Sequence, residues 1–127
     1  METDEFTRLV QAALLDDDGK PALEKDVQQT IQAILKTLSE NLQPQLVRQL
    51  AATLPPGIGQ NLVQTTTHKH TTLNEFFYNV AAREGTTLPR AIHHSRTVIA
   101  VLQESVPPEV LQSVWEDLPV EFSPLFQ

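Results

Sequence analysis

Four histidines are the side chains in this sequence best suited to bind a metal ion. His68 and His70 stand two positions apart in the polar stretch "TTTHKHT", and in an extended segment their imidazoles would point to the same side. His93 and His94 fall on a predicted helix, where adjacent side chains diverge by about 100°, so we expect only one of them to join such a site. A site of His68, His70 and His94 is therefore one alternative. The sequence favours the other, in which the linker histidines are solvated and one histidine lies at a helix interface.

The acidic stretch "LLDDDGKPALEKD" resembles a calcium-binding loop only superficially. Aligning Gly19 with the turn glycine of an EF-hand puts Leu14 at the first ligand position and Lys25 where the bidentate glutamate belongs. Signatures of phosphate loops, dinucleotide sites, nucleophilic serines and HExxH zinc sites do not occur, and a chain without cysteine has no thiolate chemistry. We therefore expect a non-enzymatic protein that needs no cofactor.

Three aromatic residues near the C-terminus, Trp115, Phe122 and Phe126, are the candidates for an interaction surface. Large aromatic side chains dominate the energetics of protein interfaces, so an exposed cluster of them would indicate a partner-binding patch. The alternative is that they pack in the core of the C-terminal half. The sequence favours the core, because an internal alignment pairs these three residues with Ala51, Ile58 and Leu62.

Apolar residues recur at helical spacing along most of the chain, and little of it has the pattern of a strand. Thr3 is the expected N-cap of the first helix, and Pro44 suits the first position of a later one. Thr72 and Glu75 have the spacing of a capping box, and Gly85 is suited to end the helix that they begin. The sequence therefore predicts an all-α protein.

The two halves of the chain repeat each other. A shift of 64 residues pairs Pro44 with Pro108 and the Leu54-Pro55 step with Leu118-Pro119, and a shift of 70 pairs Glu5-Phe6 with Glu75-Phe76. The repeat predicts a compact bundle of about six to eight helices, built from two homologous, pseudo-symmetric units in a single domain, 1–127. The first unit covers 1–64, the linker 65–71 and the second unit 72–127. Proline and two glycines in "LPPGIG" predict that the first unit's terminal helix is frayed.

Composition and charge set limits on the partners of this chain. A chain of 127 residues with 40% hydrophobic side chains can bury a sufficient core without disulfides. Its net charge of −7, without a cluster of Lys or Arg, argues against nucleic-acid binding. Apolar runs are too short to cross a membrane, and the N-terminus lacks the pattern of a signal peptide, so we expect a cytoplasmic protein.

Four segments in order resemble the bacterial family catalogued as domain of unknown function 2267. They are "DEF-x3-V", "LVRQLAATLP", "LNEFFYNVA" and "LQSVWEDLP-x2-F-x3-F", and the resemblance covers nearly the whole chain. It implies a small all-helical bacterial protein with tandem half-domains, and it supplies no catalytic or ligand residues. With no concentrated chemistry in the sequence, we expect an interaction or scaffold module for an unidentified protein partner, a homodimer being one form of such an assembly.

Overall fold

The computed structural model describes residues 2–14, 24–62 and 71–126, with the side chains of residues 24 and 25 excepted. All regular structure in these ranges is helical, which confirms the predicted all-α class. None of the helices there has both the length and the apolarity needed to cross a membrane. The elements in chain order are α1 (Thr3–Ala13), α2 (Glu24–Glu40), α3 (Pro44–Thr53), α4 (Pro56–Gly59), α5 (Leu73–Glu84), α6 (Leu88–Ser105), α7 (Pro108–Asp117) and a C-terminal 3₁₀ helix (Val120–Phe126).

The helix ends follow the capping and breaking residues in most places. The capping box of α5 is confirmed, since the Glu75 amide donates to Thr72 Oγ1 at 3.1 Å and the Thr72 amide donates to Glu75 Oε1 at 3.2 Å. Gly85 ends α5 with a positive φ of 69°, a conformation that glycine adopts without steric cost. Pro44 opens α3 as predicted. The prediction for Thr3 was wrong, because Glu2 is the N-cap and Thr3 is the first helical residue.

One hydrophobic core is shared by both halves of the chain. Within each half the first helix packs on the long second helix, α1 on α2 and α5 on α6. Between the halves the contacts are reciprocal, because α2 packs on α5 while α6 packs on α1; α2 also meets α6, and α3 meets α7. The largest fully buried side chains come from both halves: Phe6, Ile31, Ile34, Leu35, Leu38, Leu42, Leu50, Phe76, Ile99, Leu102, Phe122 and Leu125.

Helix lengths recur in the same order in the two halves. Helices α1 and α5 have 11 and 12 residues, α2 and α6 have 17 and 18, and α3 and α7 have 10 each. The homology and pseudo-symmetry of the two units stay a prediction. Of the predicted linker, 65–71, only Thr71 lies within the described residues, where its amide donates to Oδ1 of the buried Asn41 at 2.8 Å.

Helix α4 is a single turn that packs closely on its neighbours. The Gly57 amide donates to Thr3 Oγ1 at 3.1 Å, which joins α4 to the beginning of α1. A Cβ atom added at Gly59 would lie 2.7 Å from the carbonyl oxygen of Ala51 in α3, closer than van der Waals contact permits. Of the two glycines that led us to expect fraying, Gly59 therefore lies against the backbone of α3, and Gly57 lies against the side chain of Thr3.

Leu54 and Leu118 offer a test of this core. Each is only 6% exposed and directly follows its ten-residue helix. We expect Leu54→Ala and Leu118→Ala each to lower the free energy of unfolding by about 2–5 kcal/mol, because each leaves a cavity in the shared core. Urea denaturation followed by circular dichroism measures this. Leu9→Ala is the matched control: because Leu9 is 37% exposed, this substitution should lower the free energy of unfolding far less. Equal decreases for all three substitutions would contradict the packing described.

Gly59 tests the approach of α4 to α3. We expect Gly59→Ala to lower the free energy of unfolding by about 1–3 kcal/mol, because the added methyl group meets a backbone carbonyl that cannot rotate away. The exposed neighbour Gln60 provides the control as Gln60→Ala. Thermal melts in which Gly59→Ala is as stable as Gln60→Ala would show that α4 does not lie against α3.

Candidate functional site

Phe122 belongs to the core and not to the surface. The 3₁₀ helix that follows Pro119 turns its side chain inward, where it is 1% exposed. Its ring meets Phe76 edge to face, with centroids 5.7 Å apart and planes at 81°. Of the three aromatic candidates, Phe122 is therefore the one that packs in the core as the sequence favoured.

Trp115 and Phe126 lie together at the surface. Val114 faces the core with no exposure, so its neighbour Trp115 projects from a different side of α7 and is 49% exposed. The Trp115 ring lies against Phe126, which is partly buried on the core, with centroids 5.3 Å apart and planes at 31°. This tilted stack presents an aromatic surface that the protein leaves half uncovered.

The stacked rings form part of a concave groove between α6, α7 and the 3₁₀ helix. Its volume is about 420 Å³, within the range of small binding pockets. Hydrogen bonds hold two of its polar members in place: Gln103 Nε2 donates to the carbonyl of Phe126 at 3.3 Å, and Gln112 Nε2 donates to Glu116 Oε1 at 3.2 Å. We call this the aromatic groove; it is lined by Gln103, Leu111, Gln112, Trp115, Glu116 and Phe126.

A second, more polar groove lies between α3 and α7 and shares Glu116 with the first. Its volume is about 320 Å³. The backbone N–H of Gln43 donates to Asp117 Oδ2 at 3.0 Å, so the start of α3 is joined to the end of α7. Its other lining residues are Gln45, Leu46, Gln49 and Ser113. The two grooves together give α7 a concave surface on both sides of Glu116.

The histidine candidates are only partly within the described structure. His68 and His70 lie outside it, and His93 is exposed. His94 Nδ1 lies 2.9 Å from Glu84 Oε2, and the Glu84 side chain is only 4% exposed. Such a carboxylate fixes the orientation of an imidazole and leaves Nε2 for another partner. No three potential ligands from His, Cys, Asp or Glu come together in the part of the chain that is described.

An ion pair that the sequence did not indicate joins the two halves near this histidine. Arg83 binds Glu40 through two hydrogen bonds of 2.6 and 2.9 Å and also donates to the buried Thr37 hydroxyl at 2.8 Å. Glu40 and Arg83 lie in the last turns of α2 and α5, which are far apart in sequence. No short-range sequence pattern pairs these two residues. Gln103, Gln112 and Glu116 were also missed as groove residues, although Leu111 with Trp115 and Gln112 with Glu116 show the i, i+4 spacing of one helical surface.

The different environments of Phe122 and Trp115 predict different effects of their removal. We expect Phe122→Ala to lower the free energy of unfolding by about 3–5 kcal/mol, because it empties a buried aromatic site. Trp115→Ala removes one partly exposed ring contact and should lower the free energy of unfolding by about 1 kcal/mol or less. Chemical denaturation of both variants checks this, and a loss at Trp115 as large as that at Phe122 would show that Trp115 is mainly structural.

A protein-family model matches nearly the whole chain. A search of the curated proteins finds none that resembles the chain. The family model described as "Uncharacterized conserved protein (DUF2267)" matches residues 3–125, which include every helix described above except the last residue of the 3₁₀ helix. The chain therefore belongs to this family of uncharacterised conserved proteins, as the order of its four sequence segments indicated.

Proposed function

We propose that this protein is a non-enzymatic interaction module that binds a protein partner at the aromatic groove. The observation that carries the proposal is the half-exposed Trp115, stacked on Phe126 at the edge of a concave surface. A tryptophan left half in water forgoes much of the free energy that its burial would release. A partner that covers it would recover that free energy, which is why tryptophan is enriched among the residues that dominate binding.

Other large apolar residues at the surface lack this setting. In the described ranges Leu9, Tyr78 and Val120 are also exposed, yet none of them lines the aromatic groove. Single exposed apolar residues are normal on protein surfaces and need no explanation. Trp115 differs because its ring, Phe126 and Leu111 form one continuous apolar area in a concavity.

The chemistry of the groove supports binding more than catalysis. Its polar side chains are two neutral amides and one carboxylate, and each amide already donates to a neighbouring oxygen. Acid–base or nucleophilic catalysis needs a titratable group positioned beside a second reactive group. The Glu116 carboxylate accepts a hydrogen bond from the side-chain amide of Gln112, an arrangement that suits recognition of a donor on a partner.

Loss of Trp115 should strongly reduce partner capture while the fold is retained. The experiment is affinity capture from the source organism with mass spectrometry, comparing the unmodified protein, Trp115→Ala and Tyr78→Ala. Tyr78 is the matched control because it is 61% exposed on α5, away from the groove. We expect one protein to be recovered with the unmodified chain and with Tyr78→Ala. The amount of it recovered with Trp115→Ala should be lower by at least about tenfold, as for a binding hot spot.

Two results would contradict the proposal. The first is capture that is unaffected by Trp115→Ala when circular dichroism shows that all three proteins are folded. The second is stoichiometric zinc in protein purified without a chelator or tag, lost on His68→Ala, together with failure to capture a partner. That second result would favour the alternative function, metal binding or sensing through His68, His70 and His94.

A further inference from the structure

The last 31 residues of the sequence, which include every residue that lines the aromatic groove, carry charge of one sign. Residues 97–127 carry five of the 16 acidic residues of the chain and none of its nine Lys and Arg residues or four histidines. This segment forms the end of α6, all of α7 and the 3₁₀ helix, the elements that enclose the groove. Its acidic residues are Glu104, Glu109, Glu116, Asp117 and Glu121. The carboxylates of this segment therefore favour a positively charged occupant of the groove.

Several of these carboxylates are available to a partner. Glu104, Glu109 and Glu116 are exposed, and none of them forms an ion pair with a Lys, Arg or His in the ranges that the structure describes. Glu116 is held by Gln112 at the junction of the two grooves, so a cation beside it would meet an oriented acceptor. Covering the apolar area would at the same time lower the local dielectric constant and strengthen such a pair.

The shape of the surface favours a helix as the occupant. A partner cannot bind by adding a strand to a sheet in residues 2–14, 24–62 and 71–126, because all their regular structure is helical. A cavity of about 420 Å³ with an aromatic side suits one or two large apolar side chains from one face of a helix. The polar groove on the other side of α7 can then contact the polar flank of the same helix.

A second copy of this chain does not have the required charge. Each copy has a net charge of −7, and two copies joined through this surface would bring two acidic segments together. Like charges at an interface oppose association, so the surface disfavours self-association and favours a basic partner.

We propose, resting on the interaction function above, that the aromatic groove binds a basic amphipathic helix of a partner protein. The helix inserts a large apolar side chain against Trp115 and Phe126 and places Lys or Arg beside Glu116. Its other basic residues face Glu104 and Glu109. Apolar contact supplies most of the affinity, and charge complementarity selects the partner and accelerates encounter.

Trp115 is itself the probe for this proposal, because it is the only tryptophan in the chain. The test titrates the full-length protein with three synthetic 18-residue peptides that lack tryptophan. One is amphipathic with Leu and Phe on one face and Lys and Arg on the other; the second has the same composition in scrambled order; the third keeps the apolar face and replaces every basic residue with Glu. We expect saturable binding of the first peptide only, with a blue shift of the Trp115 emission.

Variants then locate the binding site, using a fluorescent label on the first peptide. By the usual size of hot-spot effects, we expect Trp115→Ala to weaken binding by about 30-fold or more. Glu116→Gln should weaken it by about threefold at low salt and less at high salt, as for an exposed ion pair. Tyr78→Ala and Glu5→Gln are the controls, since both residues are exposed and neither lines the groove; we expect both to bind as the unmodified protein does.

Equal binding of the scrambled peptide would overturn the proposal, since attraction would then be nonspecific. So would tighter binding of the acidic peptide, or Trp115 burial caused only by raising the protein concentration, which would assign the groove to a second copy. A captured partner that depends on Trp115 but contacts it through a neutral or extended segment would leave the interaction function intact and refute only the basic helix. Absence of both peptide binding and Trp115-dependent capture would refute both.

Discussion

The reciprocal packing of α2 on α5 and of α6 on α1 is the interaction on which the rest of the structure depends. Each long helix is covered partly by the first helix of its own half and partly by that of the other half. Hydrophobic burial of this kind is the main favourable contribution to folding, and here it is continuous across the two halves. The folded state of either half therefore relies on the presence of the other.

Polar contacts between the halves are built on this core. The bidentate pair of Arg83 with Glu40 joins the ends of α5 and α2, and Arg83 also satisfies the buried Thr37 hydroxyl. The backbone N–H of Gln43 and the Asp117 carboxylate join α3 to α7. Such bonds add modest stability but fix relative positions. The contact of α3 with α7, together with the burial of Val114 in the core, sets the position of α7 and with it the placement of Trp115.

The sequence was sufficient to predict the helices, but it was insufficient to predict which side chains lie at the surface. Capping chemistry and helical periodicity located the start and end of α5 at Thr72 and Gly85, because those signals act within a few residues. The separation of Phe122 from Trp115 could not be predicted, since it depends on the turn after Pro119 and on whether another element covers α7. The contact of His94 with the buried Glu84 likewise depends on how α6 returns along α5. The Thr3 error has a similar cause, because the Thr3 hydroxyl accepts from an amide in α4, 54 residues away.

The close contact of α4 with α3 bears on how many binding surfaces one chain has. The alignment of the halves pairs Trp115 with Ala51, and at Ala51 the backbone of Gly59 approaches so closely that a single added carbon would not fit. At Trp115 the 3₁₀ helix instead contributes the ring of Phe126, which lies against the indole, and the groove beside the two rings remains open. The position in the first half that corresponds to Trp115 is therefore covered by the backbone of α4. Under the proposed function, this groove would hold one copy of a partner per chain, and linking two copies would require another surface.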